Sequence, residues 1–195
     1  MKPVILITSC SYRIDQNRQC RETWLKEWSS LIDYRFVFGT GNTPKYGDEL
    51  IVEVDDSYNG LPAKIQKSHK WALEQGYDFI LKTDVDVYMH IPRLLDSGFE
   101  QHAYSGNFYY TDFAMGAAYW LNRYASEILI NTPLPYPGAP GGDDVWVGAA
   151  MRENNIPHHH EPRYYVGPSP DWKTAISIHT TDTPFAMTEV HEKMI

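Results

Sequence analysis

FILKTDVDVYM, residues 79–89, carries an apolar run straight into two carboxylates, Asp84 and Asp86, with one residue between them. The run reads as a strand that begins over 79–81 and continues into Lys82, Thr83 and Asp84. Before it, 61–75 reads as a helix, with Pro62 in its first turn and Gly76 just past its end. Further back come two short β-rich runs, ELIVEV (49–54) and YRFVF (34–38), the second closed by Gly39-Thr40-Gly41. Residues 17–28 have helical character, because Cys20, Trp24 and Trp28 recur at spacing four with Arg and Lys between them. VILIT (4–8) reads as a buried first strand. The order strand, helix, strand, strand, helix, strand predicts an α/β sandwich on a largely parallel sheet. Ligands of such sheets bind at the carboxyl ends of the strands. The polar residues after Thr8 and the pair Asp84/Asp86 are therefore expected in one crevice.

The second half is looser. A helix is expected over 119–130, ended by Asn131-Thr132-Pro133, and another over 143–154, opened by acidic residues that suit its N-terminus. Loops are expected over 134–142, rich in Pro and Gly, and over 157–170, rich in His, Pro and Tyr. AISIH (175–179) reads as a last short strand. There is no internal repeat and no linker, so residues 1–195 are expected to form one domain.

The formal net charge of −8 argues against broad, non-specific nucleic-acid binding, which leaves a basic footprint. The 14 Tyr and 6 Trp suit stacking on sugars and bases, or simply core and rim positions. Two cysteines, Cys10 and Cys20, make no disulfide framework and suit reduced thiols. MKPVILITSC turns polar too soon for a signal peptide, and no stretch approaches the length of a membrane span. The chain thus reads as complete and cytoplasmic.

Four segments could carry chemistry. In an extended chain, residues i and i+2 point the same way, so Asp84 and Asp86 can face one cation. A hard divalent ion, Mg²⁺ or Mn²⁺, would relieve their mutual burial and bridge to a diphosphate. A solvated turn after a strand is the plainer alternative. GGDDVWVGAA offers either a capped helix start or a general base among Asp143 and Asp144. His179, at the end of ISIH, is either structural or an imidazole ligand, while His158-His159-His160 reads as loop. Arg18 and Arg21 lie three apart on one helix face, which suits a phosphate or a solvated surface.

Together these segments resemble the β-1,3-galactosyltransferase / N-acetylglucosaminyltransferase / Fringe family of glycosyltransferases. The resemblance rests on RQCRETW, YRFVFGTG, YGDELIVEVDDSYNGLPAKIQKSHKW, YDFILKTDVDVYMHIPRL, FAMGAAYWLN, GGDDVWVGAAMRENNIP and DWKTAISIHTTD, in that order from about Val4 to Thr183. It implies the Rossmann-like nucleotide-diphospho-sugar transferase fold called GT-A, with 1–90 as the nucleotide-sugar-binding half and 91–195 on the acceptor side. It implies Asp84, Asp86 and His179 as metal ligands, Asp144 as general base and Asp143 as its support. Arg18, Arg21, Asp56, Lys64 and Asp84 would lie at the donor site. The implied activity is inverting, Mn²⁺- or Mg²⁺-dependent transfer of a hexose (galactose, glucose or N-acetylglucosamine) from a UDP-sugar to a carbohydrate hydroxyl.

This sequence departs from the family pattern in several places. It lacks the family's membrane anchor and stem, and it has Gly76 and Ala114 near or at positions of family cysteines. The region between the metal strand and the DDV segment is shorter. These departures suit a bacterial or viral version. Three rivals remain: the same transfer onto a hydroxymethylated DNA base, a metal-dependent nucleotidyltransferase or hydrolase, and a non-catalytic sugar-binding module.

Overall fold

A strand buried on both faces needs an unbroken apolar run rather than alternation, and VILIT is such a run. In the computed structural model, which describes residues 1–108, 111–136, 142–183 and 185–195 (without the Asp182 side chain), strand β1 is Pro3–Thr8. Two helices follow, α1 (Ile14–Glu22) and α2 (Trp24–Trp28). Then come β2 (Asp33–Phe38), β3 (Glu49–Ile51), α3 (Leu61–Glu74), β4 (Phe79–Asp84), β5 (Val87–Met89) and α4 (Ile91–Leu95). The second half supplies β6 (Tyr104–Gly106), β7 (Ala118–Asn122), α5 (Arg123–Asn131) and α6 (Gly142–Glu153). Strands β8 (His158–His160), β9 (Tyr164–Tyr165) and β10 (Ser177–His179) and helix α7 (Met187–Met194) complete it.

Seven strands form the main sheet in the order β3-β2-β1-β4-β7-β6-β8, and β5-β10-β9 form a small second sheet. β3, β2, β1 and β4 run parallel, β7 is antiparallel to both β4 and β6, and β8 is parallel to β6. The α/β expectation holds, on a mixed sheet that is largely parallel. Both faces of the central strands are buried. Ile5 and Ile7 pack with Trp24, Phe36 and the small sheet, while Val4 and Leu6 pack with Ala72 of α3 and with Tyr77. A third cluster joins Tyr104, Tyr119 and Leu121 of the sheet to α5 and α6.

The structure departs from expectation at several elements. The helix expected over 17–28 breaks at Thr23 (φ −113, ψ −110), whose hydroxyl donates to the Gln19 carbonyl at 2.6 Å. Side-chain bonding of this kind competes with the helical ladder. The expected strand 49–54 stops at Ile51, opposite the last residue of β2. Residues 119–122, expected as helix, are strand β7, and the helix starts only at Arg123, where the Asn122 side chain accepts from the Ala125 N–H at 2.9 Å. The histidine tract, expected as loop, is β8, paired to β6 at the sheet edge. The last strand is shorter than 175–179. Of the loop expected over 134–142, residues 137–141 lie outside the described residues.

Candidate active site

Register brings the pieces of the site together. Thr8 is opposite Asp84 where β1 and β4 end side by side, so Ser9 and Cys10 emerge next to Asp84–Asp86. β10 pairs antiparallel with β5, placing His179 opposite Val87, and Thr180 N–H donates to the Asp86 carbonyl at 2.8 Å. Residues more than ninety positions apart in sequence thereby meet. A crevice of about 220 Å³ opens here, lined among others by Arg13, Asp56, Tyr58, Lys64, Asp84, Asp86 and His179.

Within it the two acids face different partners. β4 stops at Asp84, so Asp86 belongs to the following turn and the extended-chain parity ends between them. Asp86 Oδ1 lies 3.5 Å from His179 Nε2. Burial works to raise the Asp86 pKa, but His179 and the Arg13 guanidinium hold it below the ordinary carboxylate range. Asp84 Oδ2 instead accepts from Lys82 Nζ at 2.8 Å. Burial pushes Asp84 up to about 6, opposed by Lys82 and reinforced by Asp143 and Asp86. Among the described residues, no three His, Cys, Asp or Glu side chains are gathered closely enough to hold a metal by themselves.

Lys82 is the buried centre of a second network. Its ammonium also donates to the Gly116 carbonyl at 2.6 Å and lies 3.4 Å from Asp143 Oδ2. Burial favours its neutral form, yet Asp143 and Asp84 carry its pKa above the ordinary lysine value. The other side of the same Gly116 residue reaches Asp144, whose Oδ2 accepts the Gly116 N–H at 3.2 Å. The chain Asp84–Lys82–Gly116–Asp144 thus ties the strand-end acids to the start of α6. Asp144 is half-buried; burial, then Asp143, raises its pKa, against the Val145 and Gly116 N–H groups and Lys82. The glycine of DDVWVG has a packing reason, since a Cβ on Gly148 would overlap Phe113.

Asp56 and Lys64 form a third network. Asp56 Oδ1 accepts from Gly39 N–H (2.6 Å) and Lys64 Nζ (2.7 Å), and Oδ2 from Ser11 N–H (3.0 Å) and Asn42 (2.9 Å). Lys64 also donates to the Ser9 carbonyl at 2.7 Å. This carboxylate therefore ties the ends of β1 and β2 to α3. Burial opposes its ionisation, but Lys64, Asn42 and the two N–H groups lower its pKa. A depressed carboxylate stabilises the fold above its unfolded pKa of about 3.9, and that stability is lost as pH falls through the lower folded value. Urea midpoints for the wild type and Asp56→Asn should accordingly differ by a constant amount above about pH 3.9 and converge as pH falls from there through the lower folded value. Parallel pH curves would show that Asp56 carries no such role.

The two arginines expected at the donor site lie elsewhere. Arg18 is exposed and paired with Asp15 at 3.0 Å. Arg21 forks onto Asp48 (2.8 and 2.9 Å), reaches Glu49 at 3.0 Å, and stacks between the Phe36 and Tyr46 rings. The guanidinium that lines the crevice is Arg13, which the sequence reading did not single out. Lys82 was also missed, although its i, i+2 spacing to Asp84 within a strand puts both on one face. Cys20 and Cys10 are buried free thiols. Cys20 Sγ–H donates to the Val85 carbonyl at 3.2 Å, fixing α1 against the turn that bears Asp86. The histidine tract holds no part of the crevice. His160 Nδ1 accepts from Phe108 N–H at 3.0 Å, and His159 stacks on His102.

Residues 15–102 match the family model described as galactosyltransferase. A mouse UDP-GalNAc:beta-1,3-N-acetylgalactosaminyltransferase 2 is 27% identical over 104 residues, which are 53% of this chain and 18% of that protein. The human protein of the same name is 28% identical over 74 residues. The chain thus spans less than a fifth of the length of these relatives. A glycosyltransferase involved in glycosylation of the major capsid of PBCV-1 superposes with a TM-score of 0.61 at 15% identity, over 100% of this chain and 98% of that one. The Drosophila beta-1,4-galactosyltransferase 7 complex with manganese, UDP-Gal and xylobiose gives 0.56 at 14% identity, over 83% of this chain and 66% of that one. No helix among the described residues is long and apolar enough to cross a membrane. Residues 15–102 are thus similar to the galactosyltransferase family, and the fold that carries them is of the GT-A nucleotide-diphospho-sugar transferase type.

Proposed function

We propose that this protein is a glycosyltransferase that moves a hexose from a UDP-sugar to an acceptor hydroxyl, with inversion and with Mn²⁺ or Mg²⁺ as cofactor. The observation that carries this reading is the crevice where the ends of β1, β4 and β10 bring Asp84, Asp86 and His179 together beside Arg13. One carboxylate and one imidazole facing each other suit a divalent ion that keeps waters and takes its other ligands from a diphosphate. Asp86 and His179 would hold it, with Asp84 behind them balanced by Lys82. When bound, the ion supplies positive charge to the departing nucleoside diphosphate.

The chain's own groups do the rest. Arg13 adds charge for the phosphates. The Asp56–Lys64 network holds the loop after β1 in place. Asp144 accepts the proton of the attacking hydroxyl, and its raised pKa moves it toward the working pH, where a base is most effective. Asp143, through Lys82, keeps the start of α6 in register with β4.

Asp86→Ala should lower turnover about 10²–10³-fold, the usual cost of losing one electrostatic partner of a leaving group. Calorimetry should show UDP binding with Mn²⁺ in the wild type and its loss in the variant, at unchanged far-ultraviolet circular dichroism. A folded variant that still binds UDP and turns over normally would refute the site assignment.

A further inference from the structure

The segment that carries His179 is held at both ends. At its start, Arg93 Nη1 of α4 donates to the Trp172 and Ala175 carbonyls at 3.0 and 2.9 Å, and His90 N–H donates to the Ile176 carbonyl at 2.8 Å. Ser177–His179 then pair antiparallel with Val87–Met89. The next register position sets Thr180 opposite Asp86, and there Thr180 makes two bonds to one atom. Its N–H and its Oγ1 hydroxyl both donate to the Asp86 carbonyl, each at 2.8 Å. The first bond is a main-chain bond that most residues could supply, whereas the second comes from this side chain. A carbonyl oxygen has two lone pairs, and Thr180 engages the Asp86 oxygen twice. The preceding carbonyl, that of Val85, accepts from the buried Cys20 thiol at 3.2 Å. The turn bearing Asp86 is thus fixed from α1 on one side and from the His179 segment on the other.

We propose that Thr180 is a positioning residue for the divalent ion, its hydroxyl locking Asp86 and the adjacent His179 at the spacing the ion requires. The proposal rests on the glycosyl-transfer reading above. Two observations carry it. Asp86 and His179 come from separate elements that meet at the end of a ladder of only three residue pairs, and the ends of such elements open most readily. Thr180 follows His179 directly in the chain and is bonded to Asp86 across the ladder, so one side chain sets the position of both. Asp86 Oδ1 and His179 Nε2 stand 3.5 Å apart. An ion that takes one carboxylate and one imidazole from the protein loses affinity when that pair drifts.

Calorimetric titration of Mn²⁺ into the protein with UDP present, on the wild type, Thr180→Val and Thr180→Ser, tests this. Valine keeps the branched shape and the N–H and deletes the hydroxyl, whereas serine keeps the hydroxyl. Affinity for Mn²⁺ should fall about 10–100-fold in Thr180→Val, the usual cost of losing a group that orients a metal ligand, and stay within about threefold of wild type in Thr180→Ser. Far-ultraviolet circular dichroism should be unchanged in both. If Thr180→Val does not fold, Thr180→Ala, which deletes the hydroxyl without an apolar branch, should show the same loss. The proposal is overturned if deleting the hydroxyl leaves Mn²⁺ affinity unchanged, or if Thr180→Ser loses as much as Thr180→Val. A lower urea midpoint at unchanged Mn²⁺ affinity would make Thr180 a structural contact only and overturn it equally. The wild type separates the failures. No Mn²⁺ binding there removes the glycosyl-transfer reading and the proposal together, whereas wild-type binding that Thr180→Val leaves intact removes the proposal alone.

Discussion

Replacing Asp144 by Asn is expected to slow transfer by about 10²–10⁴-fold, the range that general-base catalysis contributes. The amide keeps the size of the carboxylate and can still accept the Gly116 N–H, so the start of α6 should hold its place. What disappears is the capacity to take a proton. UDP binding with Mn²⁺ should therefore stay within about twofold of wild type, because the crevice that holds it is lined by other residues. The pH dependence is also informative. The wild-type rate should fall on the acid side at a pH above the ordinary Asp range, since burial and Asp143 raise the Asp144 pKa. The variant should lose that limb. If a folded Asp144→Asn variant transfers at the wild-type rate, or loses UDP binding, Asp144 is not the base.

Lys82→Met should have the largest effect on stability. The ammonium is 2% exposed and stands between Asp84 at 2.8 Å and Asp143 at 3.4 Å. Removing one partner from a buried ionic network costs about 3–5 kcal/mol, because the opposite charges are left without compensation. The orphaned carboxylates escape part of that cost by taking up protons. The deficit relative to wild type should therefore grow as pH rises from 5 to 8, since deprotonation restores the uncompensated charge. Urea denaturation at the two pH values measures both effects. A loss under about 1 kcal/mol at pH 8 would show that Lys82 does not neutralise this cluster.

The first half of the fold was legible because its signals are local. VILIT and FILKTD are apolar runs that suit strands buried on both faces, and the Leu61–Glu74 helix has proline at its start and glycine after its end. AYWLN was misread because an apolar run buried on both sides looks the same as a buried helix turn. Only its pairing with β4 and β6 decides the matter, and those partners are distant in sequence. The histidine tract is a strand for the same non-local reason. In the site, Asp84 and Asp86 were read as a pair at a strand-end crevice from their spacing, and only His179 was added to them by the family resemblance. Their partners were not anticipated. Arg21, expected at the donor site, is held by Asp48 and Glu49, acids from a separate loop and strand. Arg13 lines the crevice because α1 begins right after it, a detail of turn geometry that composition does not carry.

The central claim, metal-dependent transfer from a nucleotide sugar, is tested most directly by nucleoside diphosphate release. A panel of UDP-sugars would be offered with Mn²⁺, with chelator, and to the Asp86→Ala variant, in the presence of methyl glycosides. The account predicts release from one donor that requires the metal ion and is lost in the variant. Release of pyrophosphate instead, or release that persists in chelator and in the variant, would contradict it.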